Sequence, residues 1–266
     1  MERVEALLES NGTAPVRAWK DRNPGGLAIG HMPIYTPRPL LEAMGILPVA
    51  IFGGGDRDII RGDSYFQSYI CHIPRSTIEL GLTGVFDSLD GMIFPAICDG
   101  IRNLSGMWQM LFPQKWSAYL DLPQNFQPDV GGRFYRMELE RLAAELHARG
   151  AQLLTRDALR AAIRDENDRR RALAELQALR HTASWRVPAS EAYAVNRAGS
   201  AISARVHATL VREYLEVARA RRSSPRDNVR VILVGSFCEQ PPPGLIRSLE
   251  RAGCDIVDDD MQLGFN

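Results

Sequence analysis

The sequence predicts an α/β protein that begins with a parallel, doubly wound sheet. Between residues 27 and 150, short apolar runs alternate with segments of helical periodicity, which is typical of parallel strands joined by crossover helices. A stretch rich in helix formers follows, and a shorter α/β pattern begins near residue 229. We therefore expect a first domain at residues 1–150, a helical connector at 151–228, and the start of a second α/β domain at 229–266.

The first domain is predicted to have a flavodoxin-like or Rossmann-like arrangement. The strands are expected at residues 27–31, 47–52, 92–97 and 116–122, and the helices at 37–45, 74–80, 99–110 and 131–149. Residues 2–22 are expected to form one or two short helices. Gly45 and Gly150 follow two of the helical segments directly, a position where glycine commonly ends a helix.

The connector should consist almost entirely of helix. Thr155 is a predicted helix cap, and Pro188 is expected to interrupt the helical run. The charged segment 164–171 is interpreted as a solvent-exposed helix face rather than as a binding patch. Residues 223–225 are interpreted as a linker.

The last part of the sequence predicts a second α/β unit. Strands are expected at residues 231–235 and 254–257, with a helix at 243–252 between them. Two strands and one helix cannot bury a doubly wound sheet. We therefore expect this domain to be incomplete, because the chain is a fragment or has lost that half.

Composition excludes several functional classes. The chain has 32 basic and 32 acidic residues, so excess positive charge does not indicate a nucleic-acid or anionic-membrane partner. The amino terminus lacks the apolar core of a signal peptide, and the sequence has no apolar run long enough to cross a membrane, which predicts a cytoplasmic protein. The four cysteines form no CxxC pair, which argues against a disulfide scaffold or a zinc ribbon.

Cys71 and Cys98 have similar sequence surroundings. Each precedes a predicted helix, and Cys98 also follows a predicted buried strand. Ligands collect at such strand exits, where unpaired N–H groups and the helix dipole favour negative charge, including that of a thiolate or an anionic cluster. Judged by spacing alone, a free cysteine is more often a small, buried, apolar residue than a metal ligand.

A run of three glycines lies between the second predicted strand and Cys71. Gly53, Gly54 and Gly55 lack the Gly-Lys-Ser/Thr ending of a nucleotide-binding P-loop and the GxGxxG spacing of a dinucleotide site. Close backbone packing or a turn is the favoured interpretation. ATP is therefore expected to bind elsewhere than on this loop.

Three segments carry a resemblance to a known family. Residues 30–55, 68–82 and 94–108 resemble the subunits of 2-hydroxyacyl-CoA dehydratases and benzoyl-CoA reductases, with the reductase side the more similar. The resemblance implies that Cys71 and Cys98 ligate a [4Fe-4S] cluster, and that a third cysteine comes from a later domain. Cys238 follows a strand of the second unit, and either loop packing or a ligand role is open to it. Cys254 is interpreted as a core residue.

The resemblance also implies a reaction and a set of partners. A benzoyl-CoA reductase reduces its aromatic acyl-CoA substrate to a cyclic dienoyl-CoA with ATP-driven, low-potential electrons, whereas the dehydratases expel a β-hydroxyl through a radical. The implied partners are a paralogous cluster-binding subunit, ATP-hydrolysing activator-like subunits and a low-potential electron donor such as ferredoxin. A scaffold without a complete cluster site is a further alternative.

The substrate cleft is expected at the strand exits of the first domain. His31, Tyr35, Thr36 and Asp99 are the predicted substrate-binding residues, because each is placed at the exit of a predicted strand. Ordinary loop capping is the alternative for His31, and helix N-capping is the alternative for Asp99.

Overall fold

The computed structural model describes residues 1, 4, 13–53, 58–235 and 241–260 of the chain. A four-stranded sheet forms the first unit, in the order β2–β1–β3–β4, and every neighbouring pair is parallel. The strands are β1 (Ala28–His31), β2 (Leu47–Ala50), β3 (Gly91–Pro95) and β4 (Trp116–Leu120). From β1 the chain adds β2 on one side and then crosses to add β3 and β4 on the other. This confirms the predicted doubly wound sheet and places its switch point between β1 and β3.

Helices cover both faces of this sheet. The helices of the first unit are α1 (Thr13–Arg22), α2 (Arg38–Ala43), α3 (His72–Leu82), α4 (Asp99–Leu111) and α5 (Arg133–Ala148). Met92 and Phe94 of β3 point into a core shared with α3 and α4, whereas Ile93 points into a second core shared with α2 and α5. Because successive strand residues face opposite ways, β3 is apolar on both faces.

The two ends of α5 differ in burial. Leu142 and Leu146 are buried, but Phe134 and Met137 are 38% and 60% exposed. A helix of sixteen residues is roughly 24 Å long, whereas a five-residue strand is roughly 17 Å long. The first turns of α5 therefore extend past the edge of the sheet, and Phe134 and Met137 lie outside the core that Leu142 and Leu146 join.

The connector is helical, as predicted. It contains α6 (Arg156–Thr182), α7 (Ala189–Ala198) and α8 (Ala204–Ala220), with short 3-10 turns at Ser184–Arg186 and Gly199–Ala201. The Thr155 hydroxyl accepts a hydrogen bond from the Ala158 backbone N–H at 3.2 Å, which confirms the predicted cap. No helix of the described ranges is both long and apolar enough to cross a bilayer.

The charged segment in α6 is not uniformly solvent-exposed, so that interpretation was wrong for two residues. Glu166 and Arg169 are only 5% and 3% exposed, and they form an ion pair of 2.6 Å. They lie at helical spacing with Ala162 and Leu173, on the side of α6 that is buried. Pairing makes this burial possible, because each charge supplies the partner that the other needs.

A second, smaller α/β unit follows. Strands β5 (Val229–Leu233) and β6 (Cys254–Asp259) form a two-stranded parallel sheet, joined by α9 (Pro243–Arg251). Ile246 of α9 and Tyr193 of α7 pack with Ile256 of β6. By contrast, Ile232 of β5 is 63% exposed. The division of the chain into three domains stays a prediction.

Candidate functional site

Both predicted cluster cysteines lie at helix amino termini on the carboxyl edge of the first sheet. Cys71 is the N-cap residue of α3, and Cys98 is the N-cap residue of α4. Both residues are solvent-exposed, and neither is in a disulfide. Their side chains make no capping hydrogen bond to the helices that they precede.

The two helix amino termini lie side by side. A β-carbon built on Gly100, in the first turn of α4, would be 3.6 Å from Cys98 Sγ and 3.7 Å from Cγ of Pro74. Pro74 belongs to the first turn of α3, directly after Cys71 and His72. The positive ends of two helix dipoles thus meet beside the cysteines, and both favour thiolates or an anionic group there.

The described residues supply only part of a metal-binding set. Within these ranges, no group of three or more His, Cys, Asp or Glu side chains is arranged to hold a metal ion. Cys238 lies outside the described residues. Cys254 is half-buried at the start of β6, at the opposite edge of its sheet from the strand exits, so it is not the fully buried core residue that was expected.

The glycine run packs against α3. Gly53 has a φ of +78°, and a β-carbon there would lie 2.5 Å from Ser76 Oγ. A side chain at this position would therefore collide with the helix that Cys71 begins. This agrees with the close-packing interpretation of Gly53, whereas Gly54 and Gly55 lie outside the described residues.

Glu79, which is not among the predicted site residues, organises the segment before Cys71. Its carboxylate accepts backbone N–H bonds from Ile60, Arg61 and Gly62, at 3.0, 2.6 and 2.8 Å. The Gly62 N–H, helped by those of Arg61 and Ile60, lowers the pKa of Glu79. A lone Glu in an apolar helix face was the available signal, but its partners come from a loop whose path the sequence does not reveal.

His31 ends β1 but does not face solvent. The ring is 4% exposed, and Nδ1 lies 2.9 Å from the carbonyl oxygen of Met32, so Nδ1 carries the proton and donates. Burial, followed by the charge of Arg38, lowers the pKa of His31 to about 3. The ring is therefore neutral, and its Nε2 has no hydrogen-bond partner among the described residues. Its predicted contact with substrate stays a prediction.

Tyr35 and Thr36 lie in the loop that leaves β1, close to the switch point. Tyr35 is 55% exposed, and Thr36 is half-buried with its hydroxyl donating to the Met32 carbonyl oxygen at 3.4 Å. Ile34 and Tyr35 have φ values of +56° and +59°. They are the non-glycine residues with positive φ in the described ranges. A β-branched residue is strained in this conformation.

Asp99 is exposed and is the first residue of α4, so Cys98 rather than Asp99 occupies the cap position. The alternative role of Asp99 as the N-cap is therefore wrong by one residue, and its predicted contact with substrate stays a prediction. A carboxylate in this first turn interacts favourably with the helix dipole. One turn later, Arg102 lies over the Tyr119 ring, 5.4 Å from its centroid.

Arg38 and Glu42 of α2 join the β1 exit loop to the connector. Arg38 Nη1 donates to the Gly199 carbonyl oxygen and Nη2 to that of Ile202, both at 3.2 Å. Glu42 Oε1 accepts the backbone N–H of Ala204 at 2.9 Å and lies 3.6 Å from Arg38 Nη2. This clamp, formed by Arg38 and Glu42, fixes the start of α2 against the turn that precedes α8.

A separate cavity of about 610 Å³ lies between α6 and the second unit. Its polar lining includes Arg170, Gln177, Asn196 and three aspartates at residues 258–260, the last of which lie at the carboxyl end of β6. None of the predicted site residues lines it. The cavity therefore shares no lining residue with the candidate site on the first sheet.

Comparison with known proteins gives one consistent result. Residues 33–266 match the family described as 2-hydroxyglutaryl-CoA dehydratase, D-component. The chain is 47% identical over 262 residues to a benzoyl-CoA reductase subunit of Thauera aromatica, an alignment that covers 98% of this chain and 68% of that protein.

Two more distant relatives are dehydratase subunits. The chain is 28% identical to lactoyl-CoA dehydratase subunit beta of Anaerotignum propionicum, over 98% of this chain and 70% of the relative. It is 27% identical to (R)-2-hydroxyglutaryl-CoA dehydratase subunit beta of Acidaminococcus fermentans, over 97% of this chain and 68% of the relative. The resemblance inferred from the three segments is therefore confirmed, and the chain belongs to the 2-hydroxyglutaryl-CoA dehydratase D-component family.

Proposed function

We propose that this chain is part of a benzoyl-CoA reductase and carries a [4Fe-4S] cluster at Cys71 and Cys98. The observation that carries the proposal is 47% identity to a benzoyl-CoA reductase subunit along 98% of the chain. Identity at this level over the whole alignment is far more specific than a shared fold, which by itself does not define a function.

The chemistry of Cys71 and Cys98 fits two of the ligands of such a cluster. Iron–sulfur clusters are held by thiolates, and both thiols are exposed at adjoining helix amino termini that stabilise negative charge. The remaining ligands would come from outside the described residues or from a partner or substrate. The chemistry that the cluster supplies when bound is one-electron transfer at low potential.

The other residues of the edge would bind and orient the acyl-CoA substrate. Tyr35 and Thr36 lie on the loop that leaves β1, and Asp99 begins the helix that follows β3, beside the switch point where ligands of doubly wound sheets bind. The buried, neutral ring of His31 would support the loop that leaves β1. The proposed product is a cyclic dienoyl-CoA.

The proposed enzyme needs partners that this chain does not supply. A paralogous cluster-binding subunit would complete the substrate cleft, and ATP-hydrolysing activator-like subunits would deliver electrons from a low-potential donor such as ferredoxin. The relatives support a multi-subunit enzyme, since each is named as a subunit.

Anaerobic co-production with the partner subunits tests the proposal. Iron and acid-labile sulfide should copurify with this chain, and the complex should consume benzoyl-CoA when ATP and a low-potential reductant are present. Absence of iron in an oxygen-free preparation would overturn the cluster assignment and favour a scaffold role.

Membership of a 2-hydroxyacyl-CoA dehydratase is the second candidate function. The description of the family model and the relatives at 27% and 28% identity favour it. The same complex assayed with a 2-hydroxyacyl-CoA separates the two functions, because a dehydratase would consume that thioester and leave benzoyl-CoA unchanged.

A further inference from the structure

The loop that leaves β1 holds a strained backbone conformation next to the proposed site. Ile34 and Tyr35 occupy the left-handed region consecutively, at φ values of +56° and +59°. Such a conformation is unfavourable for both side chains and persists only where the surrounding structure enforces it. Strain of this kind is concentrated at active sites and ligand-binding sites.

The strained loop presents backbone donors that the fold does not use. Within the described part of the chain, the N–H groups of Ile34, Tyr35 and Thr36 donate to no acceptor. Tyr35 is 55% exposed, and its two neighbours are half-buried. Consecutive free N–H groups in such a turn form a concave site for an electron-rich oxygen.

Both ends of the loop are held firmly. At its start, the Met32 N–H donates to the Ile93 carbonyl oxygen at 3.2 Å, which continues the pairing of β1 with β3. At its end, Arg38 donates to the carbonyl oxygens of Gly199 and Ile202. The donors are therefore fixed beside the chain that runs from β3 to Cys98, which is the arrangement required for preorganised stabilisation of a polarised oxygen.

The neighbouring charges favour a neutral acceptor over a phosphate. The Arg38 guanidinium is directed at the connector carbonyls, and the His31 ring is buried and neutral. Arg38 is also paired with Glu42 at 3.6 Å, so neither side chain that flanks the loop presents an unpaired cation to a ligand at the N–H groups. A neutral carbonyl oxygen, unlike a phosphate, needs hydrogen-bond donors but no positive charge to balance it.

Resting on the proposed function, we infer that the backbone N–H groups of Ile34, Tyr35 and Thr36 donate hydrogen bonds to the thioester carbonyl oxygen of the acyl-CoA substrate. This contact would orient the acyl group at the switch point and would polarise its carbonyl. The Arg38–Glu42 clamp and the β1–β3 pairing act as positioning elements, because they keep the donors in place.

A matched pair of variants at Tyr35 tests the inference. Tyr35→Gly keeps the N–H and tolerates positive φ, whereas Tyr35→Pro removes the N–H and fixes φ near −65°. Iron content and thermal unfolding of the anaerobic complex check that both variants fold. The probes are benzoyl-CoA and its carbonyl-free thioether, S-benzyl-CoA, titrated into the complex of all subunits.

The wild type and Tyr35→Gly should bind benzoyl-CoA about tenfold more tightly than S-benzyl-CoA, even where loss of the tyrosine ring weakens both affinities. In Tyr35→Pro this ratio should fall to about twofold or less. With a ¹³C-labelled carbonyl, the infrared band of bound benzoyl-CoA should shift to lower frequency in the first two proteins but not in the proline variant.

If Tyr35→Pro prefers benzoyl-CoA over S-benzyl-CoA as strongly as the wild type does, the inference is overturned while the proposed function stays intact. The same holds if the wild type binds both compounds tightly without preferring the one that has a carbonyl. Failure of the wild-type complex to bind or consume benzoyl-CoA would instead overturn both. The titration therefore separates the two failures.

Discussion

Strands β3 and β5 show how differently the two α/β units are built. All five residues of β3 are buried, whereas in β5 no residue is fully buried and Val229 and Ile232 are 67% and 63% exposed. Both are parallel strands with helix crossovers, so their local patterns are alike. The difference lies in the layers: helices cover both faces of the first sheet, and the second sheet packs against α7 and α9 on one face.

This contrast bears on where the proposed chemistry can occur. Sites that must hold reacting groups in fixed geometry depend on a rigid supporting core. The first unit provides such a core, and its carboxyl edge carries Cys71 and Cys98. The second unit contributes Cys254 from a half-buried position at the start of β6.

The largest predicted effect compares the cysteines of the two units. Cys71→Ser or Cys98→Ser should remove this chain's share of the iron from the anaerobically purified complex, because its cluster loses a thiolate ligand, whereas the iron of the cluster-binding partner remains. Cys254→Ser is the matched control and should retain the wild-type iron and sulfide content. Full iron content in both of the first two variants would disprove the cluster assignment.

The next comparison is of core packing. Phe94→Ala should lower the free energy of unfolding by about 3 to 5 kcal/mol, because Phe94 is fully buried and its ring centroid lies 5.9 Å from that of Trp108. Ile232→Ala in β5 should cost about 0.5 kcal/mol or less. Denaturant unfolding measures both values. A similar cost for the two variants would show that another surface covers β5 in solution.

The attachment of the second unit to α6 gives a third prediction. Arg180 is 1% exposed, donates to the Ile256 carbonyl oxygen at 2.9 Å, and pairs with Asp259 at 2.8 Å. Arg180→Met should destabilise the protein by about 3 kcal/mol, because the Asp259 carboxylate stays buried without the guanidinium.

The control for this variant is Arg219→Met, which removes a half-exposed ion pair with Glu175 and should cost less than about 1 kcal/mol. Hydrogen exchange should show faster opening of β5 and β6 in Arg180→Met only. Unchanged protection of these strands would mean that apolar packing alone holds the second unit.

The smallest predicted effect is a pH dependence that comes from the first unit and the connector. Burial, as the largest cause, lowers the pKa of both His31 and His207 from 6.5 to about 3. The unfolded chain therefore binds more protons below pH 6.5, and the stability of the fold decreases as the pH falls toward 3. Each ring should lower the free energy of unfolding by about 2 kcal/mol between pH 7 and pH 5.

His207→Gln tests this prediction by removing one titrating ring. Its Nε2 lies 2.9 Å from the Val195 carbonyl oxygen, a bond that the glutamine amide can imitate. The variant should lose stability at pH 7 but show a shallower decrease between pH 7 and 5. An identical slope in variant and wild type would show that His207 is protonated in the fold.

Local sequence patterns anticipated where the candidate site residues lie in the fold better than they anticipated the contacts around them. Cys98 follows an apolar run and precedes a helical one, so its place at a strand exit could be predicted from neighbours in the sequence. The buried Glu166–Arg169 pair and the carboxylate of Glu79 could not be predicted in this way. The partners of these charged side chains depend on which helix face or loop the fold brings against them. In the sequence alone, a charged residue normally indicates a solvent-exposed position.

By itself, the sequence determined the alternation of strands and helices, the parallel sheet, and the family, because each depends on periodicity or on residues close together in the chain. Only the tertiary structure decided that Phe134 and Met137 are exposed and that α6 buries two charges. It also decided that Ile34 and Tyr35 are strained. Burial and strain depend on the layers that meet at each position, and these layers are brought together from segments far apart in the chain.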